Sequence, residues 1–118
     1  MNNTTEDYLK MIYLLQKKNS KVRSISLVEA FGVSKPTVSK KIKHMIAGGY
    51  ISLEGHSLKL TEKGLEIAEE MMERNRIIKE LLIRLGVEQS VAVADACKIE
   101  HAISKQTLEA FEKLSNNI

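Results

Sequence analysis

The stretch Val33-Ser34-Lys35-Pro36-Thr37-Val38-Ser39-Lys40-Lys41-Ile42-Lys43-His44-Met45 decides the reading of this chain. Ser34 is placed to accept a hydrogen bond from an orphan amide at a helix start, and Pro36 sits in the first turn, where its missing N–H costs nothing. Val38, Ile42, Met45 and Ile46 then recur at helical spacing, leaving Lys35, Thr37, Ser39, Lys40, Lys41, Lys43 and His44 mainly on the other faces. One side of this helix is core and the other is cationic.

Working outward, Ser26 caps a short helix, Leu27 to Phe31, which Gly32 stops in the left-handed conformation. Further upstream, Thr4 or Thr5 opens a helix to about Lys18, with Glu6 and Asp7 at the positive end of its dipole. Downstream, Tyr50 to Leu53 and Leu58 to Leu60 alternate with period two around Glu54-Gly55-His56-Ser57, the pattern of a small hairpin. Thr61 caps a long helix from about Glu62 to Leu85 that Gly86 closes. Ser90 opens another to about Ile103, and Ser104 caps a last short one. The expected fold is mainly α: an N-terminal winged helix-turn-helix with a β-hairpin wing over residues 1–62, then an all-helical region over 63–118. The apolar surface of the long helix, with Leu65, Met71, Met72, Ile78, Leu82 and Leu85 among its members, is too wide for packing on one side. It predicts a homodimer, the alternative being that the last two helices cover it within one chain.

The net charge of +3 is unevenly spread. Residues 1–62 carry ten Lys/Arg against five acids, while residues 63–118 carry eight against ten. A basic front joined to a mildly acidic back suits a polyanion-binding head on a module with another task. Cys97 is the single cysteine, so no disulfide forms within the chain, and no leader or membrane-spanning run is visible. A cytoplasmic protein with no membrane partner is expected. An enzyme is not: Cys97 and His101 could pair as nucleophile and base, but no oxyanion donors, orienting third group or glycine-rich phosphate loop accompany them.

Charge, capped helix pair and hairpin together fit a helix docked in the major groove of double-stranded DNA with the wing beside the backbone. In that geometry Lys35, Lys40 and Lys43 supply phosphate or guanine contacts. Ser34, Thr37 and Ser39 are short enough to approach base edges, Pro36 could touch a thymine methyl, and His56 and Lys59 belong to the wing. No arginine lies on the helix, so bidentate guanine readout is absent and DNA shape carries more of the specificity.

A second constellation is Cys97-Lys98-Ile99-Glu100-His101. On a helix, Cys97, Glu100 and His101 stand at i, i+3 and i+4, which puts thiolate, carboxylate and imidazole within reach of one ion. One helix cannot surround a metal, and Asp7 is a candidate for a fourth donor. The same residues also fit a small buried cysteine and a hydrogen-bonded core histidine.

Thr5-Glu6-Asp7-Tyr8-Leu9 with Ile12-Tyr13, Ser34-Lys35-Pro36-Thr37-Val38-Ser39, Leu60-Thr61-Glu62-Lys63-Gly64, and Cys97-Lys98-Ile99-Glu100-His101-Ala102-Ile103-Ser104 occur in an order and spacing that resembles the diphtheria toxin repressor family. The resemblance covers essentially the whole chain, and Cys-x-x-Glu-His-x-x-Ser is its most specific part. It implies a dimeric winged-helix repressor whose bound divalent metal favours operator binding and which controls metal uptake or homeostasis. It also implies Asp7, Cys97, Glu100 and His101 as ligands of one transition metal per subunit, Fe(II) or Mn(II), with Zn(II) or Co(II) able to substitute in vitro. Two positions depart from the family pattern: Asn75 stands where a ligating histidine is expected, and Lys10 where the manganese-type members carry glutamate. These departures argue against a second metal and leave one site, or a winged-helix regulator that answers to another ligand or to none.

Overall fold

The computed structural model describes residues 4–18 and 21–118. Its elements run α1 (Thr5–Lys18), α2 (Ser24–Phe31), α3 (Lys35–Ala47), β1 (Ile51–Glu54), β2 (Ser57–Leu60), α4 (Glu62–Arg84), α5 (Gln89–Ile99) and α6 (Lys105–Asn116). Helix, helix, helix and hairpin follow one another as expected. Two compact units result, Met1–Glu69 and Glu70–Ile118, and the break between them falls inside α4.

In the first unit, α1 starts with a reciprocal cap. The Thr4 hydroxyl accepts from the Asp7 amide at 3.1 Å, and the Asp7 carboxylate accepts from the Thr4 amide at 2.9 Å. Helix α2 begins two residues before Ser26, not after it. Ser26 is the third helical residue, and its hydroxyl accepts the Arg23 N–H at 3.1 Å, closing the helix start from inside. Gly32 ends α2 at φ 64°, and Ser34 caps α3 by accepting the Thr37 N–H at 3.3 Å. The buried faces of α1 (Tyr8, Leu9, Ile12) and α3 (Val38, Ile42, Met45) meet Leu27 of α2 and Ile51 and Leu58 of the hairpin in one core. The hairpin is antiparallel, with Ile51 opposite Leu60 and Glu54 opposite Ser57. The Leu58 N–H donates to the Val22 carbonyl at 2.7 Å, which ties the wing to the segment preceding α2.

The junction with α4 is tightly built. Thr61 caps α4 by accepting the Gly64 N–H at 3.2 Å, while its hydroxyl donates to the Gly49 carbonyl at 2.7 Å. Its own N–H donates to the Tyr50 carbonyl at 3.1 Å. That carbonyl lies directly against Gly64, leaving no room there for a β-carbon. Ala68, one turn on, is fully buried in the same core.

In the second unit, two arginines of α4 hold the ends of the later helices. Arg74 donates to the carbonyls of Glu100 and Ile103 at 3.2 and 2.7 Å, and Arg84 donates to those of Ser115 and Ile118 at 2.9 and 3.3 Å. Each arginine supplies donors to one carbonyl at a helix end, Glu100 or Ser115, and to one in the chain that follows, Ile103 or Ile118, and places positive charge near the negative pole of that helix. Helix α5 is shorter than the expected Ser90 to Ile103. It starts at Gln89 without a side-chain cap, the Ser90 hydroxyl donating instead to Glu88, and it stops at Ile99. The carbonyls of Glu100 and Ile103 turn to Arg74, and Ser104 starts α6 by accepting the Thr107 N–H at 3.2 Å.

On the surface of this unit Arg76 binds Glu73 and Glu80 of its own helix and lies 3.8 Å from Glu112 of α6. The Arg76 guanidinium holds the Glu73 carboxyl below the usual carboxylate range. Most of the apolar surface expected on α4 is covered within the chain, Met71, Ile77, Ile78 and Leu81 being buried and Met72 and Leu82 half-buried, while Leu65, Ile83 and Leu85 stay exposed, as do Leu114 of α6 and Ile118 beyond it. Among the described residues no helix is long and apolar enough to cross a membrane.

Candidate nucleic-acid face and candidate metal centre

Helix α3 buries Val38, Ile42 and Met45 and turns Ser34, Lys35, Pro36, Thr37, Ser39, Lys40 and Lys43 to solvent. Every residue of this helix assigned to DNA contact is therefore exposed, whereas Ile46, expected on the apolar face, is 39% exposed because it falls at the edge of the buried stripe. No acidic residue occurs between Lys35 and Ala47, so nothing on this helix offsets the charge of its exposed lysines. Lys41 is set apart from the others: it is half-buried, with its ammonium 5.7 Å from the centre of the Tyr8 ring. Ser34 and Thr37 share a hydroxyl hydrogen bond of 2.8 Å, which orients both while Ser34 caps the helix. On the wing, His56 is exposed in the turn, whereas Lys59 is half-buried and lies 3.6 Å from the Glu54 carboxylate. The wing's lysine charge is thus partly compensated, and α3 carries the larger share of the positive field.

Of the four candidate metal ligands, Asp7 belongs to the first unit, where its carboxylate closes the α1 cap. Cys97, Glu100 and His101 belong to the second. There the structure brings Glu100 and His101 together. Glu100 is fully buried, and His101 Nε2 stands 3.5 Å from its Oε1. Cys97 is exposed, and its Sγ accepts a hydrogen bond from Asn75 Nδ2 at 3.7 Å. The side chain that replaces the expected histidine therefore engages the candidate thiol directly. The structure does not gather the Cys97 thiol with the Glu100 carboxylate and the His101 imidazole within 4.8 Å of one another; the carboxylate and imidazole are donor types that suit Fe, Mn, Co or Zn.

Sequence reasoning missed Arg74. Its side chain is largely buried, 12% exposed, and lies 3.5 Å from Glu70. Through its bonds to the Glu100 and Ile103 carbonyls it fixes the turn that carries both Glu100 and His101. No spacing rule flags an arginine midway along a long helix. Its partners are backbone carbonyls that become available only because α5 ends early.

With this geometry in hand, the comparisons with known proteins are specific. Residues 1–57 match the model of the iron dependent repressor N-terminal DNA binding domain, and residues 61–118 match that of the iron dependent repressor metal binding and dimerisation domain. An uncharacterized HTH-type transcriptional regulator of Methanocaldococcus jannaschii is 34% identical over 115 residues, which cover 95% of this chain and 92% of that protein. The transcriptional regulator MntR of Escherichia coli is 35% identical over 107 residues, covering 90% of this chain and 69% of that one. Among solved structures, the metal-dependent transcriptional regulator MtsR superposes with a TM-score of 0.91 at 30% identity, covering 98% of this chain and 55% of the other. The chain thus spans little more than half the length of that structural relative.

Proposed function

Because this chain belongs to the iron-dependent repressor family, we propose that it is a transcriptional repressor, and not an enzyme, whose operator binding is promoted by a divalent cation and which controls metal uptake or homeostasis. Residues 1–62 are the reading head and residues 63–118 the dimerisation and metal-binding region, two copies binding one duplex. Asp7, Cys97, Glu100 and His101 are the proposed ligands of a single Fe(II) or Mn(II), and the bound cation supplies a fixed, multiply charged anchor for those side chains. The observation that carries metal dependence is the buried Glu100 carboxylate beside His101, on a turn held by Arg74. Buried carboxylates persist where they are paired or coordinate a cation.

The chain's own residues divide the work. The lysines of α3 lower the free energy of approach to the phosphate backbone, and the hydroxyls of Thr37 and Ser39 reach base edges. In the second unit, Arg74 keeps the Glu100–His101 turn in one conformation, so that little ordering remains to be done when the ligands close on an ion.

Two measurements test this division. Lys40→Ala and Lys43→Ala are each expected to weaken DNA binding across sequences and to reduce the salt dependence of log K by about one unit, with metal affinity unchanged. Arg74→Ala is expected to weaken Mn(II) binding by about 10- to 100-fold in a calorimetric titration, with Arg74→Lys recovering part of the loss. Unchanged Mn(II) affinity in Arg74→Ala would remove the arginine from the site.

A further inference from the structure

Beside the reading helix lies a groove of about 460 Å³ whose apolar lining a DNA-reading role does not explain. The start of α2, the length of α3 and the wing form its walls. Ile42 and Leu58 make a buried floor, while Ile25, Ile46 and Leu53 line it with exposures of 44%, 39% and 51%. Three large aliphatic side chains left this open within a strongly basic head are a poor match for a hydrated sugar-phosphate backbone. The polar members are Arg23, Lys43 and His56, all exposed, with Ser24 and Ser39. None of the three basic residues forms an ion pair among the described residues, and no carboxylate lines the groove.

We propose that this groove binds a small organic anion with an apolar body, such as a medium-chain carboxylate, and that its occupancy competes with DNA. The volume falls in the range of small-molecule sites, which combine a mostly apolar lining with a few convergent polar groups. Arg23, Lys43 and His56 set the sign of the ligand's charge, and the isoleucines and Leu53 accept its tail. Competition follows from position, because Ser39 and Lys43 on the exposed face of α3 and His56 on the wing line the groove and are also assigned to DNA contact. This second half of the proposal rests on the DNA-reading assignment above, whereas the anion site does not.

The test uses decanoate below its micellar concentration, with decylammonium as the same tail of opposite charge, against protein labelled at the isoleucine methyls. Decanoate is expected to shift the methyls of Ile25, Ile42 and Ile46 saturably and to leave Ile83 of the second unit unmoved. Decylammonium is expected to shift none of them. Ile46→Gln and Leu53→Gln, both at exposed positions, should each weaken decanoate binding by about tenfold, the order of effect of removing apolar contact from a pocket. Decanoate at saturation should release a bound duplex from the unmodified protein, and far less readily from either variant. Equal response to the two amphiphiles, or shifts of Ile83 that match those of Ile46, would overturn the site. Decanoate bound without release of DNA would overturn the competition. Failure of the protein to bind any duplex would instead sink the DNA-reading assignment, with the methyl shifts still deciding the anion site.

Discussion

Gly64→Ala is expected to destabilise the first unit by about 3 kcal/mol or more, enough to lower its melting temperature by roughly 12 °C or beyond. An added β-carbon at this position would sit on the carbonyl oxygen of Tyr50, which is backbone and cannot swing away. That carbonyl also accepts the Thr61 N–H, and Thr61 in turn caps α4 and bonds Gly49, so retreat of Tyr50 would strain three linked contacts. Gly48→Ala provides the contrast. There the new carbon crowds only the ring of Tyr50, the His44 carbonyl lying at an ordinary contact distance of 3.5 Å, and the ring also carries the Lys63 ammonium 4.5 Å from its centre. The ring can rotate at the expense of that contact, so a cost of about 1 kcal/mol is expected. Thermal melts of the two variants check the difference. Equal stability of Gly64→Ala and the unmodified protein would show that the junction between wing and α4 is looser than described.

The second large effect concerns the proposed metal centre. His101→Ala is expected to weaken Mn(II) binding by about a hundredfold or more, since loss of a partner that merely orients a ligand already costs 10- to 100-fold. Its side chain is 17% exposed, and the fold should survive its removal with little change in melting temperature. Glu100→Gln keeps the shape of the buried side chain while removing its charge, and should abolish Mn(II) binding at micromolar ion with the helical content intact. Titration calorimetry and circular dichroism on the same samples separate lost coordination from lost folding. Should both variants bind Mn(II) normally, the ligand set assigned to the second unit would be wrong. Should His101→Ala simply unfold, the reading of His101 as a hydrogen-bonded core histidine would hold.

The elements that were legible in the sequence are those fixed by local chemistry. Ser34 and Pro36 marked the start of α3, Gly32 the end of α2, and Ser104 the start of α6, because a cap or a left-handed residue acts within one turn of itself. Alternation around Gly55 and His56 marked the hairpin for the same reason. The end of α5 was not legible. Its helical pattern runs on through His101, yet the helix stops at Ile99, and the carbonyl of Glu100 goes instead to an arginine 26 residues upstream. The relation of Cys97 to Asn75 was equally hidden, since side chains 22 positions apart meet only after α4 and α5 pack. The candidate site was therefore readable as a list of donor types and only partly as a geometry. Spacing placed Glu100 and His101 side by side, while the thiol's partner and the Arg74 clamp belong to tertiary structure.

Metal control of DNA affinity is the claim on which the rest depends, and fluorescence anisotropy of a labelled duplex, obtained by in vitro selection with the full chain, addresses it directly. Binding is followed with Mn(II) or Fe(II) supplied and again after chelation, at fixed salt. The proposed function predicts that chelation weakens binding by about tenfold or more, the scale of an allosteric coupling of 1 to 3 kcal/mol, and that His101→Ala behaves as the chelated protein in either condition. Affinity that is the same with and without the cation would contradict it.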